Sequence, residues 1–256
     1  MTRNHLLAGA TGATLAMLAA VPAGAHDNHV TIERAGDRLC ITSNGLPNHD
    51  TGTFPNRGNP HAISEQTLRY CVAANPVKGG TMTEITRGPV GIALNGILFR
   101  PETADYYDPS SPRGFSRDPS SGWNLEGMGA ADQLGMDHNN AHVDSRGIYH
   151  YHGTPRGLLA SLGDTHIGYA ADGHEIHYVG EAARSGWTLK SGTRPSGPGG
   201  AHDGTYIQDW EYTGAGNLDR CNGGMLDGER YVYFATDTFP FYPRCFWGEV
   251  SADFRR

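Results

Sequence analysis

Apolar residues in this chain come in short runs that alternate with polar ones, and almost nowhere at the 3.6-residue spacing of an amphipathic helix. The segments Arg38–Thr42, Leu68–Val72, Met82–Thr86, Tyr206–Tyr212 and Tyr231–Ala235 read as strands, since β-branched and aromatic residues suit a half-buried pleated surface. Gly91-Ile-Ala-Leu-Asn-Gly96 followed by Ile97-Leu-Phe99 predicts a hairpin, with Asn95-Gly96 as a type I′ turn that takes positive φ at both central residues. Arg156–Ser161 has room for one or two helical turns. Residues 44–60, 101–122 and 191–204, rich in Gly, Pro, Asn and Ser, read as loops. With 36 glycines and 15 prolines breaking the pattern so often, the expectation is a mainly β protein, sandwich or barrel-like, with few short helices.

One strand stands out. In Tyr149-His150-Tyr151-His152 the alternation of a strand puts both histidines on one face and both tyrosines on the other. The surrounding pattern also recurs. Gly91-Ile-Ala93-Leu-Asn95-Gly96 returns as Gly168-Tyr-Ala170-Ala-Asp172-Gly173, and each copy is followed by a Tyr-x-Tyr strand, at 149 after the first and at 231 after the second. This predicts an internal pseudo-repeat over about 88–157 and 165–240 with a pseudo-two-fold arrangement. Only the first copy has the histidines; the second reads Tyr231-Val-Tyr-Phe234. A strand-rich segment, 26–87, is expected to pack on this core domain, 88–256.

Composition narrows the setting. Residues 1–25 have the make-up of an export signal: Arg3, an apolar stretch from Leu6 to Val21, and Ala23-Gly24-Ala25 as an A-x-A cleavage site. The protein is therefore expected to be exported, to the periplasm or beyond. The apolar stretch is broken and too short to predict a membrane span. A net charge of −7 with no basic run gives nucleic acid no footing. Export permits disulfides, and Cys40–Cys71 with Cys221–Cys245 is the simplest of three pairings because each pair brackets one strand-rich segment. The alternative, a tetrathiolate zinc site, lacks any C-x-x-C.

Histidine supplies the candidate chemistry. Seven of thirteen histidines lie between 138 and 177, interleaved with Asp137, Asp144, Asp164 and Asp172. Asp144-Ser-Arg-Gly147 reads as a tight turn, and a hairpin folded there brings His142 across from His150 or His152. The expected metal ligands are His142, His150 and His152, with His166 or Asp144 joining them; Asp144 has a second possible role as acceptor for a ligating imidazole's N–H. Nitrogen and oxygen donors without thiolate suit a divalent transition metal, zinc or copper first, with iron and manganese open. His49 and His61, in or beside the 44–60 loop, read as solvated. Other motifs are missing: no H-E-x-x-H, no G-x-S-x-G, no Walker loop, and the EF-hand register from Asp137 puts Ile148 where a glutamate belongs.

On these residues the chain resembles the YHYH-domain proteins. The resemblance covers about 88–248 and rests on His142 seven residues before Tyr149, Tyr149-His-Tyr-His-Gly153, Gly168–Gly173, Leu218-Asp-Arg-Cys-Asn-Gly223, Phe239-Pro240 and Cys245-Phe-Trp-Gly248. It implies a YHYH domain and export, brings no established reaction, and carries over at His142, His150, His152, Asp172, Gly173, Cys221 and Cys245. This chain departs from the family's pattern at Asp172-Gly-His-Glu-Ile-His177, where relatives often read D-G-F-P-I-Y, so His174 and His177 are not expected as shared ligands. Two functions follow. One is an exported metal-binding β-protein, with or without catalysis by metal-activated water or redox chemistry. The other is a non-catalytic extracellular ligand- or carbohydrate-binding module with structural histidines, its 12 tyrosines and 4 tryptophans lining a groove for a small molecule.

Overall fold

The computed structural model describes residues 27–84 and 87–255; the export signal expected over 1–25 lies outside them. The N-terminal segment folds as an antiparallel sheet of β1 (Val30–Ala35), β2 (Arg38–Ser43) and β3 (Leu68–Ala73). Cys40 and Cys71 face each other across β2 and β3 and are joined as a disulfide. Ile41, Leu68 and Val72 of this sheet are buried in the main core. The short β4 (Thr83–Glu84) follows.

β5 (Gly91–Ala93) and β6 (Leu98–Phe99) form the hairpin expected at Asn95-Gly96. The turn differs from expectation: Gly96 alone has positive φ (78°), and the loop closes through Ala93 N–H to the Ile97 carbonyl (2.8 Å). One extra loop residue relieves Asn95 of a strained conformation and frees its side chain. The stretch 101–122, read as a loop, contains β7 (Glu102–Tyr107) and β8 (Phe115–Ser116), which form a sheet with β9 (Asn124–Glu126). A prolyl and seryl loop between β7 and β8 hides their pairing from a local reading. After the short α1 (Ala131–Leu134) come β10 (Ala141–Val143) and β11 (Tyr149–Tyr151), then α2 (Arg156–Ser161), placed as its composition suggested.

The second half repeats the order with β12 (His166–Ala170), β13 (Glu175–His177), β14 (Trp187–Leu189), β15 (Trp210–Tyr212), β16 (Gly223–Leu226) and β17 (Arg230–Phe234). Tyr206–Tyr212 is only partly a strand, because Ile207–Asp209 winds into a 3-10 turn held by the buried Asp209. β18 (Cys245–Phe246) closes on β4, and Cys245 is bonded to Cys221. Both expected disulfides are present.

Eight strands make the central sheet in the order β10-β11-β6-β5-β12-β13-β17-β16. Read outward from the middle, the two halves match: antiparallel hairpin, parallel neighbour, antiparallel edge strand. At the centre β5 and β12 run antiparallel with Gly91 opposite Ala170, Ile92 opposite Tyr169 and Ala93 opposite Gly168, so a pseudo-two-fold axis passes through the middle pair. The repeated glycines have specific duties. A Cβ on Gly91 would strike the Tyr169 carbonyl, and one on Gly168 would strike the Ile92 carbonyl; Gly96 and Gly173 hold positive φ (78° and 93°) in matching turns. The fold is mainly β and sandwich-like, without a closed barrel among the described residues.

Candidate metal centre

The β10–β11 hairpin is built by its turn. Asp144 Oδ1 accepts the N–H groups of Arg146 and Ile148 (2.9 and 3.1 Å), and Gly147 takes the positive φ that reverses the chain. This fixes the register so that His142 stands opposite His150. Past the strand end, the His152 N–H donates to the carbonyl of Asn140 (2.8 Å), whose own φ is 57°, which curls the chain back over β10. On the opposite face Tyr149 O–H donates to Asp137 (2.7 Å), and Tyr151 O–H lies against Asn95 Nδ2 and His49 Nε2 (3.0 and 2.6 Å). The tyrosines anchor the strand, and the histidines face the other way.

Three imidazoles then meet in a near-equilateral triangle, with ring centroids 4.8, 4.6 and 4.9 Å apart for 142–150, 142–152 and 150–152. Each Nδ1 lies against a backbone carbonyl: His142 on Leu134 (3.0 Å), His150 on Ile148 (2.9 Å), His152 on Pro101 (3.2 Å). A carbonyl only accepts, so these partners assign the N–H to Nδ1 in all three rings and leave three Nε2 lone pairs free. The Nε2 atoms of His142 and His152 are 3.1 Å apart, and one ligand atom from each of the three residues fits within a 4.8 Å span. With metal–nitrogen bonds of about 2.0–2.1 Å, adjacent nitrogens of a tetrahedral centre lie about 3.3 Å apart, so the residues fit an ion.

Electrostatics point the same way. Burial lowers the His142 pKa to about 4, with the Leu134 carbonyl opposing and the Arg100 guanidinium reinforcing. His150 and His152 are pushed well below the ordinary range, first by burial and then by neighbouring positive charge. Near neutral pH the rings are therefore uncharged.

The triad opens on a cleft of about 190 Å³ whose wall includes His61, Arg100, Glu102 and Arg113. Burial raises the Glu102 carboxyl to about 7, against the pull of Arg244 at 4.0 Å and with help from the nearby Glu126. Sequence reading missed Glu102 because it sits in the segment taken for loop. The Arg100 Nε is buried and has no hydrogen-bond partner.

The remaining candidates lie elsewhere. His166 stands on β12, in the other half of the sheet, stacked on His177 (5.2 Å) with Nε2 against the Gly168 carbonyl (3.0 Å), and the described metal-capable cluster does not include it. Asp144 lines the cleft but pairs with Arg100 (2.8 Å) and Arg146 (3.1 Å), and is outside the cluster too. Burial opposes its ionisation, yet the Arg146 N–H and Arg100 hold it below the usual carboxylate range. His49 is buried against Tyr151 rather than solvated, because the 44–60 loop folds over the tyrosine face.

The family model described as YHYH protein matches residues 69–248, which take in the triad and both halves of the central sheet. No curated protein and no solved structure matches the chain.

Proposed function

The chain belongs to the YHYH protein family, and on that footing we propose that it is an exported protein that binds a divalent transition metal ion through Nε2 of His142, His150 and His152. One observation carries the reading: three buried imidazoles, each tied by Nδ1 to a backbone carbonyl, bring three neutral nitrogen donors together. Such carbonyl partners orient ligating imidazoles and fix their tautomer. Zinc and copper(II) suit this donor set best. Export is supported by the signal-like make-up of residues 1–25 and by the pairing of all four cysteines. Among the described residues no helix is long and apolar enough to cross a membrane.

An ion held by His142, His150 and His152 would supply Lewis acidity and would lower the pKa of water near it. Glu102, in the wall of the same cleft and raised by burial to about 7, would accept or return a proton in such a reaction. Arg100, paired with Asp144, adds a positive charge to the same wall. This combination favours hydrolysis assisted by metal over redox chemistry.

The competing reading, a ligand- or carbohydrate-binding module with structural histidines, needs the 3.1 Å approach of His142 and His152 to be an ordinary hydrogen bond. One Nε2 would then bear the proton, and a neutral ring would turn a lone pair toward the Leu134 or Pro101 carbonyl. Protonating a ring instead runs against the depressed pKa of both. Metal analysis of the purified chain after loading with zinc or copper tests the proposal. One equivalent per chain, lost in His150→Ala/His152→Ala, is expected; no bound metal in the wild type after loading refutes it.

A further inference from the structure

A second cleft, of about 850 Å³, lies between the N-terminal sheet and the second half of the central sheet and shares no lining residue with the triad cleft. Its wall includes His174. The matching position in the first half is Ile97: both follow the positive-φ glycine of the hairpin turn, and both carbonyls accept the equivalent N–H at 2.8 Å (Ala93 to Ile97, Ala170 to His174). Ile97 is simply buried in the core. His174 is buried to the same degree, its side chain 4 % exposed, but it brings two nitrogens that the site does not satisfy.

Its Nδ1 is buried without a hydrogen bond. The atom lies 3.1 Å from Asp172 Oδ2, but off the line of a hydrogen bond, and that oxygen already accepts Tyr233 O–H (2.8 Å) and the Gly248 N–H (3.0 Å). The other nitrogen, Nε2, has no hydrogen-bond partner among the described residues and is not among the buried unpartnered atoms, so it is accessible, and the cleft is the space this ring lines. An imidazole held so deeply without aligned partners costs stability that an isoleucine would not. A bound group that hydrogen-bonds it offsets that cost.

The cleft's charge says what kind of group. Although the chain is net negative, Arg34, Lys78 and Arg230 line this cleft against the single acid Glu175, which is already engaged by Arg230 (2.9 Å) and His177 (2.8 Å). Lys78 Nζ rests over the rings of Tyr231 (4.4 Å) and Trp247 (5.3 Å), and Leu39, Pro76 and Val77 give apolar wall. Cations at the rim, an aromatic face and an unsatisfied polar group within describe a site for an amphiphilic molecule. We propose that this cleft is a second ligand site, which binds a small organic anion, an apolar or aromatic body bearing a carboxylate or sulfonate, with the anionic group held by His174 and Lys78.

Calorimetric titration of the full chain with 2-naphthoate, 2-naphthalenesulfonate and the neutral 2-naphthalenemethanol tests this. Saturable binding of one equivalent of at least one anion, with the neutral analogue at least about tenfold weaker, is expected, tenfold being about 1.4 kcal/mol. His174→Phe should weaken the anion by about tenfold or more. Lys78→Gln and Arg230→Gln, at the rim where folding is not at stake, should weaken it less but measurably. His150→Ala, which disrupts the triad, should leave anion binding unchanged. No saturable binding up to about 10 mM, equal binding of the neutral analogue, indifference to the rim substitutions, or loss of anion binding in His150→Ala would each overturn the proposal.

Discussion

The two halves of the central sheet use one scaffold for different ends. In the first, Asp137 accepts Tyr149 O–H at 2.7 Å and the N–H groups of Asn139 and Ala141; in the second, Asp219 accepts Tyr231 O–H at 2.7 Å and the N–H groups of Cys221 and Gly223. Asn140 and Asn222 take the same left-handed turn, with φ of 57° and 61°. Tyr151 meets Asn95 where Tyr233 meets Asp172. The triad positions, by contrast, become Gly224, Val232 and Phe234, which lie in or line a small apolar cluster with Leu218. What both halves retain is what folding needs: an aspartate that gathers donors, an asparagine that turns the chain, two tyrosines behind the strand. The three histidines belong to one half only, so the strand geometry does not depend on them.

The sharpest way to break this comparison is to remove the shared part. Asp137→Ala strips acceptors from a tyrosine hydroxyl and three backbone N–H groups, those of Gly52, Asn139 and Ala141. Asp219→Ala does the same to Tyr231, Trp247 and the Cys221 and Gly223 N–H groups. Each should cost about 3 kcal/mol or more, and the two costs should be similar in urea melts. A large cost in one half and almost none in the other would mean that the halves are alike in outline only.

Next comes the part that differs. If the triad holds zinc, the ion at a free concentration one hundred times its dissociation constant should stabilise the wild type by about 2.7 kcal/mol. His150→Ala should abolish that gain. Val232→Ala, at the equivalent place, should cost about 1.5 kcal/mol for its two lost carbons and leave the response to zinc intact. Thermal melts with and without zinc separate the two; a zinc response that survives His150→Ala would move the ion elsewhere.

Acid should distinguish the halves more gently. In the metal-free protein the triad pKa values lie below the unfolded value of 6.5, that of His142 at about 4. Between those limits the unfolded chain takes up protons that the folded chain refuses, so stability falls as pH drops through the window. Replacing all three histidines by glutamine should flatten the decline between about pH 6.5 and 4, read from urea midpoints. An equally steep decline in that variant would assign the acid sensitivity to other groups.

How much of this was legible in the chain follows from where each interaction is encoded. Asn-Gly between two apolar runs announced the first hairpin, the return of its pattern at Gly168–Gly173 pointed to the second, and i, i+2 spacing announced that His150 and His152 share a face. The turn at Asp144–Gly147 delivered His142. The features that complete the site are of another kind. Leu134 and Pro101 act through backbone carbonyls, which have no side-chain signature, and Glu102 pairs across a long connection with β9. His49 looked solvated because its loop is polar, but burial is decided by what the loop lies on. His166 shared the local density of histidine without sharing the place, since β12 crosses to the other side of the pseudo-axis.

That last residue gives the smallest and most discriminating expected effect. His166 is half-buried, and its Nε2 lies against the Gly168 carbonyl on its own strand, a contact worth about 1 kcal/mol at most. It stacks on His177, whose nitrogens are already engaged by Thr165 and Glu175. His166→Ala should therefore lower stability by no more than about 1 kcal/mol and leave the metal content of the chain unchanged. Sequence density alone would make His166 as good a ligand as His142, so metal lost from this variant would mean that ligation follows the crowding of histidines along the chain; metal retained, alongside its loss from His150→Ala, would mean that it follows the pairing of β10 with β11.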